Sequence, residues 1–176
     1  MAFADPLTNL QKINLAPGMT VVDFGAGSGA YTIPAAKLVL PNGKVYAVEI
    51  QKDLLETIRK LAEAEHLGEI VNLIWGDIEQ QGGVGLADNL ADVVIVSNVL
   101  FQAKSIYTLA LEAKRILKSN GRIMVIDWSG SFGGLGPKPE DLVSAEEIKK
   151  TFGSAGLILI SEFPAGEHHY GLIFSK

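Results

Sequence analysis

Thr20-Val21-Val22-Asp23-Phe24-Gly25-Ala26-Gly27-Ser28-Gly29-Ala30 is the stretch from which the architecture can be read. Its first five residues are β-branched or aromatic apart from one acid, the composition of a strand covered on both faces. Glycines at alternate positions then end the strand and permit a sharp turn and a close approach of backbone to a ligand. A helix is expected over Ala30–Leu40, with Pro34 in its first turn, where a missing N–H costs little. Strand, glycine turn and helix in that order open a doubly wound α/β sheet, and free amides at the helix N-terminus make the turn a candidate ligand site.

The pattern repeats outward. Short apolar runs at Lys44–Glu49, Val71–Trp75, Ala91–Ser97 and Arg122–Trp128 read as further strands, and the helical stretches between them call for parallel pairing. Asp53–His66 carries Leu54, Leu55, Ile58, Leu61 and Ala62 on one face, with Asp53 and Glu56 spaced as a capping box and Gly68 as the stop. Tyr107–Leu117 repeats the helical period and ends before Asn120-Gly121, and Ser144 with Glu147 marks a helix running to Ala155. Leu157–Glu162 and Tyr170–Phe174 close the chain as an antiparallel hairpin across Phe163–His169. Ser129–Pro139, with four glycines and two prolines, reads as a surface loop. The expectation is one domain over 1–176, with 1–19 as an N-terminal arm and candidate lid.

Composition narrows the function. The 176 residues include no cysteine, which removes disulfides, thiolate metal sites and sulfur nucleophiles. Fifteen basic against 20 acidic side chains give a formal charge of −5, without the basic patch of a phosphate-binding module, so a nucleic-acid partner is disfavoured. The N-terminus lacks the basic and apolar regions of a signal peptide, and no apolar run approaches the ~18 residues of a membrane helix, so a cytoplasmic protein without membrane association is expected.

The glycines alone leave the ligand open, because Gly25, Gly27 and Ala30 also satisfy G-x-G-x-x-G/A, with Glu49 at the distance a nicotinamide dinucleotide requires. Asp23 weighs against that ligand, and a dinucleotide-binding fold stays as the weaker alternative, since the chain has no room for a separate catalytic domain. At the carboxyl end of the first strand it would face a diphosphate with like charge, whereas an ammonium group there is stabilised by a charge-assisted hydrogen bond. S-adenosylmethionine, with an amino-acid tail and no phosphate, has that group.

From about Leu15 to Lys176 the sequence resembles the class I S-adenosylmethionine-dependent methyltransferases, in the broad group that includes the ubiquinone and menaquinone biosynthesis enzymes. The matched motifs are Val21–Gly29, the strand-end acid Glu49, Gly76-Asp77-Ile78, Asp92–Leu100 and Ile116–Trp128. The resemblance implies a Rossmann-like seven-stranded sheet, mostly parallel with an antiparallel last strand, in the order 3-2-1-4-5-7-6. It also implies a cofactor site of Asp23, Gly25, Ala26, Gly27, Gly29, Glu49, Ile50, Asp77, Ile78, Ser97 and Asn98. In it Glu49 bonds the ribose hydroxyls and Asp77 accepts from the adenine amino group. Lys118-Ser119-Asn120-Gly121 departs from the family's usual Lys-Pro-Gly-Gly, at a helix-to-strand turn.

Methyl transfer from a sulfonium is an in-line displacement, so alignment of the nucleophile is the main demand and a general base is optional. The missing cysteine marks down cytosine-C5 and trivalent-arsenic acceptors. Ser97-Asn98-Val99-Leu100-Phe101 replaces the Asn/Asp-Pro-Pro-Tyr/Phe of the enzymes that methylate amino groups of bases or glutamine. No metal is expected, since no acid cluster forms around Asp127. The acceptor belongs outside the carboxyl ends of the strands, which makes Phe3, Phe101, Trp128 and Tyr170 substrate-side candidates and His168, His169 and Asp127 catalytic ones. A small or medium organic acceptor leads; a protein or RNA acceptor, or a non-catalytic adenosylmethionine binder, stays open.

Overall fold

The computed structural model describes residues 4–131 and 136–176. Phe3 and the middle of the glycine-rich loop, 132–135, lie outside them. Seven strands form one sheet: β1 (Thr20–Phe24), β2 (Lys44–Glu49), β3 (Val71–Trp75), β4 (Ala91–Ser97), β5 (Leu117–Trp128), β6 (Ile158–Gly166) and β7 (His169–Ser175). Their order is β3-β2-β1-β4-β5-β7-β6. The first five pair in parallel, and β7 runs antiparallel to both neighbours.

Helices cover both faces, so central strands are buried on both sides. Val22 and Phe24 point into a core shared with α4 (Ile106–Ile116) and α5 (Ala145–Ser154). Val21 faces the other core with α1 (Pro6–Lys12), α2 (Thr32–Val39) and α3 (Lys52–Ala64). Alternation along each strand therefore sorts side chains between two cores. In α1, capped by the Asp5 side chain on the Thr8 amide, Leu10 is fully buried while Leu7 is half exposed. The arm thus docks as an edge of the second core.

Several boundaries differ from expectation, each for a local reason. α3 begins after Gln51, so Asp53 sits inside its first turn and no side chain caps the helix. The strand-end acid Glu49 takes the Ile50 and Gln51 amides on one carboxylate oxygen, at 2.9 and 3.0 Å. His66, at φ 57°, makes the left-handed step expected of Gly68. Lys118–Gly121 is part of an extended but bulged β5, whose register slips against β4 between Ala91 and Val93. β6 runs on to Gly166 and β7 starts at His169, so the hairpin connection is only Glu167-His168 and His169 is a strand residue.

Candidate functional site

Parallel strands bring their carboxyl ends to one edge of the sheet, and a cavity of about 460 Å³ opens there. Asp23, Gly25, Ala26 and Gly27 of the glycine turn line it, with Glu49 and Ile50 after β2, Asp77 and Ile78 after β3, and Ser97 and Asn98 at the end of β4. Gly29 stands behind the turn: at φ 89° it passes Ile58, whose Cγ1 would lie 3.1 Å from an added Cβ.

The turn is held by its own chain. Gly25 and Ala26 donate their amides to the Val48 carbonyl at 2.9 and 3.0 Å, and Gly29 donates to Ala26 at 2.9 Å. Gly27 donates to Glu49 Oε2 at 3.0 Å. Those four amides are engaged inside the protein and are not the open cradle that a dinucleotide diphosphate needs. Gly25 allows no side chain, since φ is 68° and a Cβ would lie 2.5 Å from Val99 Cγ1.

Asp23 is 2% exposed and accepts from Thr32 Oγ1 at 2.6 Å. Burial pushes its carboxyl up to about 6, against the Thr32 hydrogen bond and with help from the nearby Glu49 charge. None of the salt bridges among the described residues includes Asp23. A buried carboxylate on a cavity wall with no cation of its own suits a ligand that brings one. Asp77 Oδ1 accepts from the Glu79 amide at 2.9 Å. Glu79 in turn takes the Ser105 amide at 2.7 Å, bridging the segment after β3 to the start of α4 beside the cavity.

The acceptor-side candidates separate. Asp127, also raised to about 6 by burial, accepts from the Leu100 amide at 2.9 Å and the Trp128 amide at 2.8 Å. It anchors the short turn Leu100–Gln102 and does not line the cavity. His169 is buried, with its pKa lowered by burial and then by His168, and its ring lies 4.2 Å from that of Trp128. Tyr170 donates its hydroxyl to the Val143 carbonyl at 3.0 Å, and burial raises its pKa. Trp128, His168, His169, Tyr170 and Phe101 all lie off the cavity wall, although the backbone carbonyl of His168 holds the Ser129 amide at 2.8 Å.

Two residues enter that sequence reasoning missed. Tyr31, directly after the glycine turn, lines the cavity. Its hydroxyl accepts from Asn9 Nδ2 at 3.0 Å and also meets the Ser97 side chain, with burial pushing its pKa up to about 12. Asn9, 2% exposed in α1, also donates to the Ala165 carbonyl at 3.0 Å. The available signal was a tyrosine immediately following the ligand turn and an amide between the apolar positions of α1. Among the described residues, no three His, Cys, Asp or Glu side chains cluster as a metal site, and no helix is long and apolar enough to cross a membrane.

The profile of a family described as a methyltransferase domain matches residues 15–163. A probable cobalt-precorrin-6B C(15)-methyltransferase (decarboxylating) from Sulfurisphaera tokodaii is 28% identical, over 66% of this chain and 57% of that protein. A ubiquinone/menaquinone biosynthesis C-methyltransferase from Burkholderia orbicola is 30% identical, over 68% of this chain and 47% of its own length. The matched region thus spans about half the length of these relatives. Among solved structures, a SAM-dependent methyltransferase from Aquifex aeolicus superposes with a TM-score of 0.87 at 26% identity, covering 97% of this chain and 88% of that one.

Proposed function

The chain belongs to the methyltransferase-domain family, and on that premise we propose that its cavity binds S-adenosylmethionine for methyl transfer to a small or medium organic acceptor at oxygen, nitrogen or carbon. The observation that carries this reading is Asp23: a buried carboxylate with no salt bridge among the described residues, beside a glycine turn whose Gly25, Ala26, Gly27 and Gly29 amides are engaged within the protein. It would hold the ammonium of the amino-acid tail. Glu49 would receive the ribose hydroxyls through Oε2, which holds only the Gly27 amide and keeps a second lone pair, and Asp77 would receive the adenine amino group. When bound, the sulfonium supplies an electrophilic methyl group.

The protein's own contribution is placement. Gly25 against Val99 brings backbone to the cavity wall, and Glu49 locks the turn to the start of α3. Both Asp127 oxygens are occupied by amides, and Tyr31 is pinned by Asn9. Orientation supplies the rate, a term of roughly 7–11 kcal/mol in well-ordered cases.

The first test is thermal denaturation with adenosylmethionine, adenosylhomocysteine, NAD and NADP. The adenosyl compounds are expected to raise the melting temperature, and Asp23→Ala or Glu49→Ala to abolish the shift. Stabilisation by NAD alone would falsify the reading. The second is transfer of labelled methyl to the metabolite, RNA and protein fractions of a cell extract, with product expected among the metabolites. Label in RNA or protein would replace the acceptor class, and cofactor binding without label in any fraction would make the protein a non-catalytic binder.

A further inference from the structure

Two large apolar side chains stand uncovered next to the cavity. Ile50, directly after β2, is 59% exposed and lines the wall, and Trp75, the last residue of β3, is 63% exposed. Apolar side chains exposed singly need no explanation. These two are joined: the β2–β3 ladder sets Trp75 opposite Glu49, and the indole Nε1 donates to the Ile50 carbonyl at 2.9 Å.

The backbone of Ile50 is thereby held from both ends. Its amide donates to Glu49 Oε1 at 2.9 Å, while its carbonyl rests on Trp75. The residue lies between β2 and α3, in neither element, so these side-chain bonds set its orientation. The indole is fixed in turn, because Lys52 at the start of α3 places Nζ 4.2 Å from the ring centroid, a cation–π contact. Trp75 is not on the cavity wall, yet its N–H reaches a residue that is.

An apolar side chain presented to a cavity from a fixed backbone is a preformed platform for a flat apolar ring, since its ordering cost is met before binding. Asp77, on the neighbouring strand end, stands on the same flank of the cavity. That flank is where the purine belongs.

Resting on the adenosylmethionine reading, we propose that Trp75 is a positioning residue: its indole N–H holds the Ile50 carbonyl so that the Ile50 side chain meets the face of the adenine ring. Trp75 acts through Ile50 and does not touch the ligand. The competing role is structural only, with the indole and Lys52 closing the open edge of β3. The two roles differ in what a substitution does to affinity.

Trp75→Phe removes the N–H and keeps a ring beneath Lys52. Because the side chain is exposed, the variant is expected to fold with a melting temperature close to that of wild type. Its Kd for adenosylhomocysteine, by calorimetry on the full chain, should rise about three- to tenfold, the factor by which loss of one hydrogen bond lowers the population that has the platform in place. Ile50→Ala tests the route. It should weaken binding by itself, and Trp75→Phe added to it should change Kd little further, as coupled residues do in a double-mutant cycle. An unchanged Kd for Trp75→Phe, with or without a fall in melting temperature, makes Trp75 a brace of the edge strand and overturns the proposal. Equal factors with and without the Ile50 side chain overturn it too, since the effect then does not pass through Ile50. In both cases binding by the wild type leaves the cofactor reading intact. Failure of the wild type to bind adenosylhomocysteine overturns that reading and the proposal together.

Discussion

Asp23 and Asp127 are both buried carboxylates raised to about 6, yet their partners differ in kind. Asp23 meets a hydroxyl, which donates equally well to an amide oxygen; Asp127 meets two backbone N–H groups, which only donate. A carboxyl raised on folding binds its proton more tightly in the native state. Its contribution to stability is full below pH 3.8 and is lost as pH rises through about 6. The apo protein therefore carries at pH 7 a penalty at Asp23 of roughly two pKa units, about 3 kcal/mol. Asp23→Asn is expected to stabilise the apo protein at pH 7.5 by about 1–3 kcal/mol and to flatten the pH 4–7 dependence of urea denaturation, while losing the adenosylhomocysteine shift. Asp127→Asn sets an NH₂ group against one of two N–H donors and should destabilise by about 1–3 kcal/mol. Opposite signs for two acids of similar pKa are the check. Ligand binding should titrate as well: an ammonium requires ionised Asp23, so Kd for adenosylhomocysteine should rise about tenfold per pH unit as pH falls below 6. A Kd flat from pH 7.5 to 5 would exclude that contact.

At the scale of elements, the glycine turn separates two reasons for a missing side chain. Gly25 and Gly27 both have positive φ, 68° and 55°. A Cβ at Gly25 would collide with Val99, while at Gly27 the nearest atom would be 4.0 Å away. Gly27→Ala should therefore cost the apo protein only the backbone term, about 1–2 kcal/mol, and Gly25→Ala a further 1–3 kcal/mol of overpacking, measured as urea midpoints. Equal losses would mean that Val99 moves aside freely. The turn was legible because strand, glycines and helix are adjacent in sequence. The start of α3 was not, because a residue of the preceding strand holds the backbone just ahead of it: a capping rule looks for a side chain at the cap position, and Glu49 reaches the Ile50 and Gln51 amides from β2's end. The His168–His169 turn was misread for a related reason. Pairing of Trp128 with His169 and of Gly166 with His169 extends the hairpin beyond its apolar run and carries His169 into the sheet.

Across the whole molecule, strand order follows from parallel pairing and puts Asp23, Glu49, Asp77, Ser97 and Asn98 at one edge without any knowledge of contacts, which is why that much of the cavity was legible. Asn9 was not, since its bonds to Tyr31 and Ala165 span 22 and 156 residues and leave no local period. Those bonds tie the N-terminal helix, the glycine turn and the last hairpin together on one face of the sheet. Asn9→Ala strips a donor from two buried acceptors, a cost of about 1–3 kcal/mol and a fall in Tm of roughly 2–10 °C for a chain of this size. Asn9 does not itself line the cavity, so affinity for adenosylhomocysteine should stay close to wild type at a temperature where the variant is folded. Asn9→Asp removes both donors yet keeps the shape, and it adds a second buried charge on the face that holds Asp23, so it should be less stable than Asn9→Ala above pH 6. If Asn9→Ala were instead as stable as wild type but weakened binding, α1 would act as a cover for the ligand and not as a brace for the fold.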